Sequence, residues 1–206
     1  MPATKPRYHH ENLEQILLDA AAQIIATQGV AALSLRALGD RAGVSRSAPY
    51  HYFADKDQLL DRLGERGFSL LTQGIIAAQA QHDEPIARGR AGILAYVAFA
   101  QAHPQLFRIM FAGILPRRLS LPVDKAGSSS SFSSAAAARA FATLQAGVAA
   151  LPDSAGLTEA DLILRTNALW AAMHGVAVLA IDENLKLVAP ETVLDQLLDR
   201  LIGPQS

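Results

Sequence analysis

The chain of 206 residues contains no cysteine, which excludes disulfide bonds and thiolate chemistry. Aromatic residues are scarce, at 6%, and charged residues make up only 18%. The net charge is −1, so no strong single-sign field covers the molecule. No window alternates apolar and polar residues for long enough to read as a strand. The signatures of common catalysts are missing: no G-x-S-x-G elbow, no H-E-x-x-H, no phosphate-binding G-x-x-x-x-G-K-[ST] and no Rossmann fingerprint. His9 and His10 are adjacent but lack a third ligand at a suitable spacing, so neither a metal nor a cofactor is expected. No apolar core of a signal peptide follows the basic N-terminal residues. The most apolar run, Ala168 to Ile181, is short for a membrane span and is bounded by Asn167 and Asp182. These absences predict a cytoplasmic protein with no membrane partner and no catalytic residues.

What is present is helical. Half of the residues are hydrophobic, enough for a buried core, and alanine is abundant. The default fold class is all-α. Leu13, Ile16, Leu17, Ala20, Ala21, Ile24 and Ile25 form one apolar stripe, predicting a first helix over Glu11 to Gln28 that stops at Gly29. Asp55 and Gln58 make a capping box that opens a long helix to about Gln81. Gly64, Gly67 and Gly74 lie inside it, either for close packing or to let the helix bend. Further helices are expected over Ile86 to Ala102, Gln105 to Phe111 and Ala135 to Ala150, from Thr158 to Asp182, and from Pro190 to Gly203. The helix ending at Asp182 is apolar nearly all round, which predicts burial on several sides. Pro116 to Ser134 holds GSSSSFSS and reads as a flexible loop.

The stretch Ser34 to Lys56, SLRALGDRAGVSRSAPYHYFADK, organises the rest. Leu35 to Ala42 forms a helix, Gly43 makes the turn, and Ser45 is a candidate N-cap for a second helix. Gly39 lets the second helix cross closely over the first. This is helix-turn-helix spacing, in which the second helix enters the DNA major groove. The stretch carries a charge of +2, whereas Gly147 to the C-terminus carries −5, so one end suits DNA and the other avoids it. Pro49 falls inside the presumed second helix and removes a backbone donor there.

The residues Leu35-Arg36, Ala42-Gly43-Val44-Ser45, Tyr50-His51-Tyr52-Phe53, Asp55-Lys56 and Leu59-Leu60 resemble the tetracycline-repressor-like (TetR) family of transcriptional regulators. HPQLFRIMF, Trp170 and His174-Gly175 resemble the branch with a WHG-type C-terminal domain. The resemblance implies a repressor that binds a near-palindromic double-stranded operator as a homodimer and is released by a small, largely apolar effector. The domains are then 1–54, a DNA-binding unit with a basic arm over 1–8, and 55–206, for effector binding and dimerisation. The alternative reading is a helical small-molecule-binding protein or enzyme with a vestigial DNA motif.

On this reading Ser34, Arg36, Ser45, Arg46, Ser47, Tyr50, His51 and Lys56 are the DNA-binding candidates. Arg46 can donate two bonds to a guanine or one to a phosphate. Lys56, at a helix N-terminus, suits phosphate. Tyr96, Phe99, Phe107, Met110, Phe111, Trp170 and His174 are candidate effector-pocket residues. His174 is also readable as a core residue. Leu169, Met173, Val176, Val193, Leu194, Leu197 and Leu201 are the expected dimer interface.

Overall fold

A computed structural model describes residues 8–112, 134–185 and 188–202, with side chains from Leu13 onward. Among the described residues there are eight α-helices and no strand. They are α1 (Tyr8–Gln28), α2 (Leu35–Ala42), α3 (Lys56–Gln79), α4 (Pro85–Ala102), α5 (Pro104–Ala112), α6 (Ala135–Ala149), α7 (Glu159–Ile181) and α8 (Pro190–Leu201). Single 3₁₀ turns lie at Val30–Ala32, Ala48–His51 and Pro152–Ser154. The basic arm, most of the serine-rich stretch and Gly203 lie outside the described residues.

The capping chemistry follows the sequence. Ser34 caps α2 by accepting from Ala37 N–H at 3.1 Å. Asp55 caps α3 by accepting from Gln58 N–H at 2.8 Å, and the Gln58 side chain accepts from Ala54 N–H at 2.6 Å, one residue before the usual capping-box partner. Ser134 and Thr158 cap α6 and α7 in the same way. Gly43 ends α2 with φ 69°, a left-handed conformation that glycine adopts without a Cβ penalty.

The second helix of the motif departs from expectation. Ser45 is not its N-cap; the Ser45 hydroxyl instead meets the Ser47 hydroxyl at 3.1 Å. The helix shrinks to the 3₁₀ turn Ala48–His51. Pro49 explains this: it has no N–H for an α-helical bond and favours the tighter turn.

Two hydrophobic cores stack along α3. The first joins α1 and α2 to the first turns of α3, with Leu17, Leu38, Phe53 and Leu59 wholly buried. The second joins α3 to α8, around Phe68, Leu71, Val97, Phe107, Leu169 and Leu198. Burying each such side chain contributes roughly 1.5–3 kcal/mol. Leu59 and Leu63 belong to the first core and Phe68 and Leu71 to the second, so one continuous helix serves both. α5 also faces both: Leu106 and Ile109 pack toward the first core, and Phe107 and Met110 toward the second.

α7 is not buried on several sides. Thr166, Leu169, Met173, Val176 and Ala177 form its inner face. Its outer face stays apolar and open, with Leu164 70% exposed and Ile163 and Leu179 also exposed. Leu169, Met173 and Val176, and Leu194 of α8, were expected at the dimer interface. The structure places them in their own chain's core instead. A side chain already removed from water has nothing left to bury against a partner. Val193, Leu197 and Leu201 are half-buried and pack against the same core. α8 turns its apolar stripe inward because Arg90, buried in α4, donates to Asp195 and Asp199 at 2.7 Å each and fixes the helix's orientation.

Candidate nucleic-acid interface and effector pocket

α2 and the 3₁₀ turn place the expected DNA-binding residues on the surface. Gly39 makes their close approach possible. A Cβ there would stand 3.0 Å from Ser45 O and 3.1 Å from Arg46 Cα, both backbone atoms. Phe53 anchors the turn from beneath, wholly buried, with Tyr52 half-buried beside it. Ser34, Arg36, Ser45, Arg46, Ser47, Tyr50 and His51 are all exposed, Tyr50 at 58%. Exposed tyrosine and histidine beside arginine suit contacts to phosphates and base edges.

Two of these residues carry partners that the sequence did not reveal. Arg46 Nε donates to Asp40 Oδ1 at 2.8 Å across the turn. The hydrogen bond and charge of Arg46 hold the Asp40 carboxyl below its ordinary range, and Asp40 raises the Arg46 guanidinium in return. Both side chains are exposed, so the pair orients rather than stabilises. It occupies Nε and leaves the two terminal nitrogens of the fork for another acceptor. Lys56, half-buried, donates to Val30 O at 2.7 Å. It therefore ties the start of α3 to the Val30–Ala32 turn, with two of its three donors remaining. Arg41 reaches Gln23 Oε1 at 3.2 Å and fixes α2 to α1.

The second site is an apolar cavity of about 50 Å³ between α3, α4, α6 and α7, lined by Phe68, Leu71, Ile75, Gln79, Ile93, Tyr96, Phe111, Phe141, Trp170 and others. Of the expected pocket residues, Tyr96, Phe111 and Trp170 line it. Phe107 and Met110 are buried in the adjoining core, and Phe99 packs against His103 with ring centres 5.0 Å apart. Leu169 and Met173, assigned above to an interface, line the cavity instead.

A hydrogen-bonded pair, Tyr96 and His174, stands along one wall. Tyr96 Oη lies 2.8 Å from His174 Nδ1. The imidazole tautomer sets which of these two atoms donates. His174 sits against Phe107 (ring centres 5.3 Å apart, stacked) and Phe111 (4.5 Å, edge-on). Burial pushes His174 down and the Tyr96 phenol up, so both are neutral near pH 7. His174 thus does not line the cavity; it holds Tyr96, which does.

Sequence reasoning missed Gln79. Its signal was present: it continues the spacing Phe68, Leu71, Ile75, and a polar residue on a core stripe marks a site. The open face of α7 was also legible in outline, as an apolar helix with more apolar surface than one core can cover. Among the described residues no cluster of His, Cys, Asp and Glu could hold a metal ion.

The geometry defines a class: a helix-turn-helix head joined through one helix to a helical body with an apolar pocket. Residues 17–63 match the model of the bacterial regulatory proteins of the tetR family. Residues 89–203 match that of the tetracyclin repressor-like C-terminal domain, TetR_C_33. The chain belongs to the TetR family.

A protein of unknown function from Rhodococcus sp. RHA1 is 30% identical and superposes with a TM-score of 0.76, over 96% of this chain and 97% of that one. A TetR-like transcriptional regulator from the same organism is 20% identical, with a TM-score of 0.62 over 96% of each chain, and shares the fold. The HTH-type transcriptional activator FasR of Mycolicibacterium smegmatis (strain ATCC 700084 / mc(2)155) is 30% identical over 95 residues, which is 46% of this chain and 43% of FasR. The match thus spans less than half the length of this curated relative.

Proposed function

We propose that the chain is a sequence-specific DNA-binding transcriptional regulator, released from a near-palindromic operator by a small, largely apolar effector. The observation that carries this is α3, whose first turns complete the head's core while Phe68, Leu71, Ile75 and Gln79 wall the cavity. A cavity of about 50 Å³ holds no more than a few waters. An effector must therefore spread its walls, and the spread state is the one the effector favours. Moving α3 moves the head. Repression relieved by the effector is the primary reading, and the cytoplasm is its setting. The FasR match favours activation as the second reading, and a promoter fusion read with and without the gene separates the two.

The head covers 1–54 plus the first turns of α3, and the remainder senses and dimerises. The dimer face is the open side of α7: Leu164, Ala168, Ala171, Gly175 and Leu179 recur at helical spacing. A Cβ on Gly175 would meet nothing within 4 Å, so this face is free for close approach by a second helix. α7 is also long and apolar enough to cross a membrane by length and composition. Its inner face nevertheless packs into the chain's own core, which favours a subunit contact over a span.

On DNA, Arg46 reads a base edge, while Arg36, Ser34 and Lys56 hold phosphates and set the register. Two heads would enter successive major grooves roughly 34–36 Å apart. The test is selection of bound sequences from a random duplex library at about 150 mM salt. Enrichment of a palindrome with half-sites one helical turn apart is the expected result. Binding without enrichment that vanishes as salt rises would reduce the head to a non-specific basic surface.

A further inference from the structure

Gln79 is the last residue of α3, and its side chain lines the cavity. It lies where two neighbouring helices carry glycine. A Cβ on Gly92 of α4 would stand 2.8 Å from Gln79 Nε2 and 3.3 Å from its Cδ, and a Cβ on Gly147 of α6 would stand 3.5 Å from Nε2. The two glycines make the room in which the amide lies. No described residue hydrogen-bonds to that amide. The Tyr96 hydroxyl on the same wall is already engaged, with His174 Nδ1 at 2.8 Å. None of the described lining residues is charged.

We infer that Gln79 is the polar anchor of the pocket, and that its ligand is an uncharged, mostly hydrocarbon molecule bearing one hydrogen-bonding oxygen, such as a ketone, ester or alcohol. The chemistry is direct. An amide facing an apolar cavity is costly to leave unpaired once a ligand has displaced its water. A ligand oxygen accepts from Nε2, and a ligand hydroxyl donates to Oε1. A carboxylate or ammonium would be buried without a counter-charge, which costs far more than a single hydrogen bond returns. Position makes the contact consequential, because Gln79 ends the helix that begins in the DNA head. The inference rests on the cavity being the effector pocket proposed above.

The test measures ligand binding to the full chain without DNA, by calorimetry, so that its failure is separate from any failure of operator reading. The probes are a medium-chain methyl ketone, the matching alcohol, the matching alkane and the matching carboxylate. The ketone and alcohol are expected to bind at least about tenfold tighter than the alkane, the ratio one buried hydrogen bond supplies. Gln79→Met keeps the length and removes the amide, and should cut that ratio to about twofold or less. Gly92→Ala keeps the amide but displaces it, and should give an intermediate ratio with the fold intact, since only the far end of a flexible side chain must shift. Equal binding of ketone and alkane to the native chain, an unchanged ratio in Gln79→Met, tightest binding of the carboxylate, or no binding of any probe would each overturn the assignment.

Discussion

The two ends of α3 live in different surroundings. At its start, Leu59 and Leu63 are sealed among Leu17, Leu38 and Phe53, in a core whose members close on one another. Further along, Phe68, Leu71 and Ile75 face the cavity. One helix therefore joins a tightly packed head to a body that keeps room inside itself. A reader of DNA must hold its side chains fixed, because a small misplacement loses the base contact. A sensor must have two arrangements to choose between, and a cavity lowers the cost of the second. A groove of about 230 Å³, open to solvent and bordered by Ala22, Ala26, His103, Gln105 and Leu106, runs where α1 meets the α4–α5 corner.

The contrast breaks most severely if the head is hollowed. Phe53→Ala removes a wholly buried ring, and should cost about 3–5 kcal/mol in chemical denaturation. Operator binding should vanish, while Trp170 fluorescence reports a body that still unfolds cooperatively. Next, Gly39→Val puts a branched side chain against the Ser45 and Arg46 backbone. It should lower operator affinity at least tenfold in a fluorescence anisotropy titration, with helix content unchanged.

Arg46→Ala should relax preference at one position of each half-site by roughly tenfold, read by competition with single-base variants. Lys56→Ala should weaken all sequences alike and flatten the salt slope by about one unit. It should also cost about 1 kcal/mol of stability, because Lys56 holds Val30 O. If Arg46→Ala weakens every sequence equally, it binds phosphate.

The body can be made to resemble the head. Ala140→Leu fills part of the cavity from α6, and should raise stability by roughly 0.5–2 kcal/mol while abolishing the effector response. The smallest effect concerns pH. Burial depresses His174 in the folded state, so the unfolded chain binds the proton more readily. Its contribution is complete above the unfolded value of about 6.5 and is lost as the pH falls toward the depressed folded value. His174→Gln should therefore flatten the acid side of the stability–pH curve, measured by denaturation across pH 5–7.

Much of this was legible in the residues. The stripe of α1, the caps Asp55 and Thr158, and the turn at Gly43 are local signals, and local chemistry decided them; the cap Ser34 was not read from the sequence. The family resemblance supplied the head. What the sequence could not show was which apolar residues face which neighbour. α7 carries apolar residues on both sides, and periodicity alone cannot say which side meets the chain's own core and which stays open. Leu169 and Met173 are expected at a partner's surface yet lie in the chain's own core, whereas Leu164 and Leu179 stay exposed. The Asp40–Arg46 and Lys56–Val30 contacts depend on how the turns fold back, which no spacing rule encodes. Pro49 was seen as a disturbance, but its consequence, a 3₁₀ turn in place of a helix, needed the backbone.

The claim at the centre is that α3 couples a rigid reader to a yielding sensor. Native-state hydrogen exchange along α3 tests it most directly. Amides over Leu59 to Leu63 should exchange only through the head's cooperative unfolding. Those over Leu71 to Gln79 should exchange through smaller openings and show lower protection. Ala140→Leu should raise protection at the second group alone. Equal protection along the whole helix, unchanged by filling the cavity, would contradict the account.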